Sequence, residues 1–152
     1  MKHVAPVIAL AIVALASCSS SDPTPAVASA NAWGAMAVFD GPPSGHEASI
    51  AGRLVIEENC VVLVSGTDAS RSLIVWPSKG TTWNPDRTIT YSDGERSIEL
   101  ADGDYFSVGG GGGQSAVEWA ASFDGWVAKP EPVCLSSVDM WWFVGGLPPD
   151  SN

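Results

Sequence analysis

The sequence predicts a mainly β domain: a small barrel or compact sandwich of five to seven short antiparallel strands with one short helix, preceded by a signal peptide and a disordered tether. Glycine and proline supply 16 and 11 of the 152 residues, and because both residues interrupt helices or form turns, a helical bundle is excluded. Short strand-forming runs recur at spacings of about 8 to 12 residues, with turn residues between them. A chain of this length is about one domain.

The strand prediction is clearest over residues 48–56, where the even positions are mostly apolar. Ile50, Leu54 and Ile56 share that parity, which is the two-residue period of a half-buried strand. Residues 33–39 form either a first strand or an apolar segment packed on the domain. Further strand-forming runs lie at residues 60–64, 72–76, 81–83, 88–91, 97–100, 105–108 and 140–144. Closure into a barrel is favoured because it removes unpaired strand edges.

Five consecutive glycines, residues 109–113, interrupt this pattern. A phosphate-binding loop would need glycines at fixed spacing and a following Gly-Lys-Ser/Thr, which this run lacks. We therefore predict a flexible loop, since glycine carries no side chain to pack. Beyond it, Trp119, Phe123 and Trp126 recur at helical spacing, which predicts a short amphipathic helix over residues 115–123. Residues 129–134 are predicted to be extended.

The N-terminus has the pattern of a signal peptide. Lys2 precedes an uncharged apolar run over residues 4–16, and as a helix this run would be about 20 Å long, too short for a bilayer core of about 30 Å. The run ends in Leu15-Ala16-Ser17-Cys18, which resembles the lipobox of bacterial lipoproteins. The resemblance implies cleavage before Cys18 and diacylglycerol on its thiol. The alternative is an ordinary secreted protein with a Cys at the cleavage site by chance.

The chain then divides into four segments. We predict a lipoprotein signal peptide over residues 1–17, a Ser/Ala/Pro-rich tether and extended lead-in over 18–45, a small β domain over 46–147, and a frayed C-terminus over 148–152. The tether has too few apolar side chains to offset its ordering entropy. Lipid on Cys18 would hold the domain in the cell envelope, on the extracytoplasmic face of the cell membrane.

The charge balance limits the partners. Seven Lys and Arg stand against 17 Asp and Glu, a net charge of -10. Phosphate-rich nucleic acid is therefore not expected as a partner. Anionic lipid headgroups would also repel the protein, so membrane attachment is expected to come from the acyl chains on Cys18.

Two cysteines remain once Cys18 is assigned to lipid. In an exported protein Cys60 and Cys134 are expected to form a disulfide, which would stabilise the domain by roughly 4 kcal/mol. A redox-active or metal-binding pair is the alternative. The chain has no Cys-x-x-Cys motif and no neighbouring His that would lower a thiol pKa.

No catalytic constellation stands out. His46 is the only imidazole after the signal segment, so a Ser-His-Asp hydrolase would have to be built around it, and the Gly-x-Ser-x-Gly elbow is missing. We interpret His46 as a solvated loop residue. A pair of catalytic carboxylates is conceivable among 17 acidic residues, but no pair is singled out by position. No catalytic residue and no cofactor are assigned.

Two acidic segments resemble fragments of a calcium loop. They are Asp93-Gly94-Glu95 and Asp102-Gly103-Asp104, the latter with Glu99 upstream. Both lack the longer series of oxygen ligands of an EF-hand. Since Asp-Gly is also typical of tight hairpin turns, no metal site is assigned.

The chain contains seven tryptophans, which either fill the core or form an aromatic binding surface. Trp141 and Trp142 are adjacent, so on a strand they must point to opposite faces. The outward member, together with the 109–113 segment, is the candidate binding surface. The alternative is that the predicted helix covers both side chains. The tryptophans are Trp33, Trp76, Trp83, Trp119, Trp126, Trp141 and Trp142.

Several motifs together resemble a family of uncharacterised bacterial lipoproteins. They are the segments 52–56 and 60–63, Leu73-Ile74-Val75-Trp76-Pro77, Asp102-Gly103-Asp104 followed by the glycine run, and the late Cys134. The resemblance covers about residues 48–135 and implies a small β-barrel with a disulfide, without catalytic residues. We expect a non-enzymatic binding or interaction module whose partner is a cell-envelope glycan or protein. The alternative is a cell-envelope hydrolase that acts through carboxylates.

Overall fold

The computed structural model describes residues 30–43 and 48–148. The predicted signal peptide, Cys18, the predicted tether up to residue 29, His46 and the last four residues lie outside this range. The described part begins with a 3-10 helix, Ala30–Trp33. The strands and α-helices follow in the order β1 (Ala37–Phe39), β2 (Ala48–Ile56), β3 (Val61–Ser65), β4 (Ser70–Pro77), β5 (Thr81–Trp83), β6 (Ile89–Ser92), β7 (Ser97–Leu100), β8 (Tyr105–Gln114), α1 (Ala116–Ser122), β9 (Trp126–Ala128), α2 (Pro132–Leu135) and β10 (Met140–Val144).

Five strands close a small barrel, which confirms the predicted fold class. The order is β10-β8-β2-β3-β4, and β4 pairs in turn with β10. β1 and then β9 extend the sheet from β4. β4 runs parallel to both β1 and β10, whereas the other described pairs are antiparallel. The long connection from β4 to β10 makes a parallel pair possible, since such a pair needs a crossover rather than a hairpin.

Two hydrophobic clusters lie on opposite faces of the barrel wall. Neighbouring residues of β4 alternate between them: Ile74 belongs to the inner cluster and Leu73 and Val75 to the outer one. Both faces of β3 and β4 are therefore buried, which explains why these strands are continuous apolar runs in the sequence. Small and apolar residues of α1 and α2, including Ala120 and Leu135, cover the outer cluster.

A second, three-stranded sheet is inserted between β4 and β8. Its order is β5-β6-β7. Ile89, Tyr91 and Leu100 from this sheet join the inner cluster of the barrel. The insertion is thus part of the same core. Its last strand, β7, is followed along the chain by barrel strand β8.

The predicted helix over residues 115–123 is confirmed as α1. Residues 37–39 form strand β1, the first of the two alternatives for this segment. The prediction that residues 129–134 are extended is wrong, because Pro132 begins the short helix α2. Proline is favoured in the first turn of a helix, where its missing N–H has no intrahelical partner to lose.

The glycine run is not a flexible loop but a part of strand β8. Gly112 and Gly113 pair with Trp142 and Trp141 of β10. A Cβ atom on Gly112 would collide with the Trp141 carbonyl and would lie 2.8 Å from the Trp142 indole. The glycines therefore allow β8 to approach β10 closely while a bulky indole packs against the backbone.

Cys60 and Cys134 form a disulfide, with their Cα atoms 5.2 Å apart. Both residues are buried. The bond joins the segment between β2 and β3 to α2, so it ties the barrel to the helical connection that covers its outer face.

Candidate functional site

Trp141 and Trp142 point to opposite faces of β10, as strand alternation predicts. Trp142 is 8% exposed and belongs to the inner cluster. Trp141 lies in the outer cluster, where its ring stacks on Trp119 of α1 with centroids 4.3 Å apart. α1 therefore occupies one face of the Trp141 indole. The assignment of the pair to a binding surface stays a prediction.

The outer face of β3 and β4 is covered by other parts of the chain. Val62 of β3 and Leu73 of β4 are fully buried on this face, in one cluster with Ala116 and Leu135 of the two α-helices. A ligand is thus more readily accommodated elsewhere on the barrel.

The acidic segments considered as calcium-loop fragments form turns. The Asp102 carboxylate accepts the Ile56 N–H at 2.8 Å, and the Asp104 carboxylate accepts the Ala101 N–H at 2.8 Å. Gly103 between them has a φ of 90°, which favours glycine. In residues 30–43 and 48–148, no three His, Cys, Asp or Glu side chains are grouped as metal ligands would be.

A groove among the described residues lies between β7 and the first half of β8. We call it the β7–β8 groove. Its volume is about 570 Å³, within the usual range for ligand sites. Residues 101–104 connect the two strands, and the described pairings include none between them. The lining residues are Arg96, Ser97, Ile98, Glu99, Leu100, Asp104, Tyr105, Phe106, Ser107, Leu147 and Pro148.

One wall of the groove is the open edge of β7. The Ser92 N–H of β6 donates to the Gly80 carbonyl, away from β7. Ser92 is opposite Ser97 in the register, so the backbone of Ser97 points away from β6. Because backbone groups reverse direction at each residue of a strand, Glu99 presents its N–H and C=O on the same outer edge.

The other wall is the open edge of β8. The Gly109 N–H donates to the Gly146 carbonyl, and the Gly109 carbonyl accepts the Gly145 N–H, both at 2.8 Å and on the side away from β2. The backbones of Ser107 and Tyr105, two and four residues earlier, point to that same side. Within the described part of the chain, no strand pairs with this half of the edge.

The segment from Gly145 to Pro148 closes one end of the groove. The Arg96 guanidinium donates to the carbonyls of Leu147 and Pro148. The Tyr91 hydroxyl donates to the Gly145 carbonyl. Burial, and after it the nearby Asp93 carboxylate, raises the pKa of Tyr91 to about 12. Tyr91 therefore stays protonated and continues to donate at neutral pH.

Asp93 also binds the segment from Gly145 to Pro148, through the backbone N–H of Leu147. Its carboxylate accepts backbone N–H bonds from Arg96 at 2.8 Å, Leu147 at 2.9 Å and Glu95 at 3.0 Å. These bonds, those of Arg96 and Leu147 foremost, lower the pKa of Asp93 to about 2. Asp93 is thus ionised at neutral pH and positions the end of the groove.

The chemistry of the groove combines an apolar side with an acidic and aromatic rim. Leu100 and Leu147 are buried and belong to the inner cluster. Glu99 and Asp104 are exposed, and Tyr105 is 74% exposed. The other aromatic side chains of the described residues are buried or partly buried.

Tyr105 is not among the residues predicted to form a binding surface, because the abundance of tryptophans favoured Trp141 and Trp142. The sequence does contain a pattern that indicates the exposure of Tyr105. Tyr105 and Ser107 alternate with Phe106 and Val108, and this alternation predicts that Tyr105 lies on the outer face of its strand.

This chain has no match among family models, curated proteins or solved structures. No helix in the described ranges is long and apolar enough to cross a bilayer. A function is therefore inferred from the β7–β8 groove, its open strand edges and Tyr105.

Proposed function

We propose that this chain is a lipid-anchored, non-enzymatic binding module of the bacterial cell envelope, and that it binds its ligand in the β7–β8 groove. The observation that carries the proposal is the coincidence of an exposed aromatic ring with two open strand edges in one groove. Tyrosine supplies a large contact area together with a hydroxyl, which is why it is common in binding sites. The ligand is a cell-envelope glycan or protein.

The anchoring part of the proposal rests on the N-terminal sequence. The lipobox-like segment Leu15-Ala16-Ser17-Cys18 follows a short apolar run, as in the uncharacterised bacterial lipoproteins that the chain resembles. The Cys60–Cys134 disulfide supports an extracytoplasmic location, because disulfides persist in oxidising compartments.

Lipid attachment is tested by replacing its acceptor. In a bacterial host, the wild-type protein is expected in the detergent phase after phase separation, and Cys18→Ala in the aqueous phase or unprocessed. Ser19→Ala is the matched control and should behave as wild type. Mass spectrometry of the processed N-terminus identifies the modification. A processed wild-type N-terminus without lipid, or equal partitioning of wild type and Cys18→Ala when both have lost residues 1–17, would contradict the proposal.

Ligand binding is tested by calorimetric titration with cell-wall glycan fragments, peptides and calcium. Tyr105→Ala is expected to weaken binding of the recognised class by about tenfold or more, because truncation removes an aromatic contact. Val133→Ala, which alters an exposed apolar residue outside the groove, should bind as wild type. Failure of both the glycan fragments and the peptides to bind, or binding that Tyr105→Ala leaves unchanged, would contradict this assignment.

The carboxylates in the groove favour one alternative function, a cell-envelope hydrolase. Glu99 and Asp104 line the same cavity, and hydrolysis of glycosidic bonds uses a pair of such groups. Turnover of a glycan by the wild-type protein, lost in both Glu99→Gln and Asp104→Asn, would establish the enzyme and replace the binding module.

A further inference from the structure

We propose that the β7–β8 groove binds a basic peptide in extended conformation, which adds as a strand to the outer edge of β7. This inference rests on the proposed function, because it names the ligand class of the same groove. The partner is another protein with an exposed segment of alternating apolar and basic residues.

The backbone of β7 is arranged for strand addition. Ser97 and Glu99 are two residues apart and direct their N–H and C=O groups away from β6 into the groove. An added strand exchanges its main-chain hydrogen bonds with such alternate residues. β7 has four residues, about 13 Å of strand, so a peptide of four to six residues matches the edge.

The side chains around that edge determine which peptide fits. Ile98 and Leu100 lie on the face of β7 that packs on the inner cluster, whereas Ser97 and Glu99 are exposed on the other face. Alternate side chains of an added strand lie beside these two faces in turn. The peptide therefore needs apolar residues at every second position and residues that complement Glu99 between them.

The charge of the groove selects a basic partner. Glu99 and Asp104 are both exposed, whereas the single Lys or Arg in the lining, Arg96, lies 3.6 Å from the Asp93 carboxylate and donates to two backbone carbonyls. A cationic side chain placed opposite Glu99 in an added strand forms a favourable cross-strand pair.

The same charge argues against occupation by the chain itself. Residues 18–29 and 149–152 contain Asp22 and Asp150 but neither Lys nor Arg. A second copy carries a net charge of -10, and like charges repel. A separate basic polypeptide is the occupant that complements the groove.

The test uses a blocked synthetic peptide, Gly-Lys-Val-Lys-Val-Lys-Val-Gly, labelled for fluorescence anisotropy. We expect it to bind the wild-type domain. The same peptide with alternate amide nitrogens methylated should bind at least about tenfold more weakly, because it loses main-chain hydrogen bonds. A peptide with Glu in place of Lys should not bind.

Paired variants separate the local charge from the net charge. Glu99→Lys is expected to weaken binding by about tenfold, since it turns a favourable cross-strand pair into a repulsive one. Glu118→Lys makes the same change in net charge at an exposed position of α1, outside the groove, and should stay within about twofold of wild type. Thermal unfolding of both variants verifies that they fold.

Three results would overturn strand addition: no binding of the basic peptide, equal binding of the methylated peptide, or equal weakening by Glu99→Lys and Glu118→Lys. If a glycan then binds in a manner sensitive to Tyr105→Ala, the groove is still the binding site and only the peptide assignment is wrong. If Tyr105→Ala affects no ligand, the proposed function fails as well.

Discussion

At the scale of single residues, Asp93 links two parts of the molecule that are far apart in sequence. One carboxylate oxygen accepts N–H groups of the β6–β7 turn, and the other accepts the N–H of Leu147. Hydrogen bonds to an ionised carboxylate are stronger than those between neutral groups. Asp93 therefore fixes the position of the segment that closes the groove.

The lowered pKa of Asp93 predicts how stability depends on pH. Its folded-state pKa is about 2, below an unfolded value of about 3.9. The contribution of the carboxylate is therefore complete above about pH 4 and is lost as the pH falls towards 2. Asp93→Asn should unfold at lower urea concentration at pH 7 and lose this part of the acid dependence.

The control for Asp93 is Asp124→Asn, which alters an exposed carboxylate after α1. It should keep the wild-type dependence between pH 4 and pH 2. Urea midpoints measured at several pH values decide the outcome. An acid dependence in Asp93→Asn equal to that of the wild type would refute the role of this carboxylate.

At the scale of elements, β8 shows how glycines serve a regular strand. Residues 105–110 of β8 pair with β2, and residues 110–114, which include four of the five glycines, pair with β10. At Gly110 a Cβ would collide with the Phe143 carbonyl, and at Gly112 with the Trp141 carbonyl. By contrast, the space around Gly111 is open. Glycine is therefore required at positions 110 and 112 but not at position 111.

This difference predicts unequal effects of the same substitution. Gly112→Ala should destabilise the domain by about 1 to 3 kcal/mol, because the added methyl forces β8 away from β10. Gly111→Ala should change the free energy of unfolding by less than about 0.5 kcal/mol. Urea denaturation of both variants measures the difference. Equal effects would show that close packing against β10 is not the reason for the glycines.

At the scale of the whole molecule, the disulfide joins the barrel to the connection that covers it. Cys60 lies between β2 and β3, and Cys134 lies on α2, 74 positions later in the chain. A bond across so long a loop removes much conformational entropy from the unfolded chain. It therefore contributes to the stability of the barrel and its cover together.

Loss of the disulfide should lower the free energy of unfolding by roughly 4 kcal/mol. The double variant Cys60→Ala, Cys134→Ala removes it without burying a new hydroxyl. Wild-type protein unfolded in the presence of dithiothreitol should show a similar loss, which separates the bond from the packing of the sulfur atoms. An unchanged urea midpoint in both experiments would contradict a stabilising role.

Local patterns were sufficient to predict much of the fold. The alternation of Ile50, Leu54 and Ile56 predicted β2, and the spacing of Trp119 and Phe123 predicted α1. These predictions succeeded because strand and helix periods are set by neighbouring residues. Likewise, the number of cysteines and the N-terminal sequence were enough to predict the disulfide.

The sequence by itself thus determined the mainly β barrel, the helix after the glycine run and the bond between Cys60 and Cys134. Only the tertiary structure decided that this run is a strand, because its partner β10 lies beyond α1 and α2 and strand pairing at such a distance leaves no local pattern. The β7–β8 groove could not be predicted from the sequence for the same reason. Ser97 and Glu99 lie on an open edge because, among the described strands, none pairs with β7 on that side. This depends on the arrangement of the whole sheet.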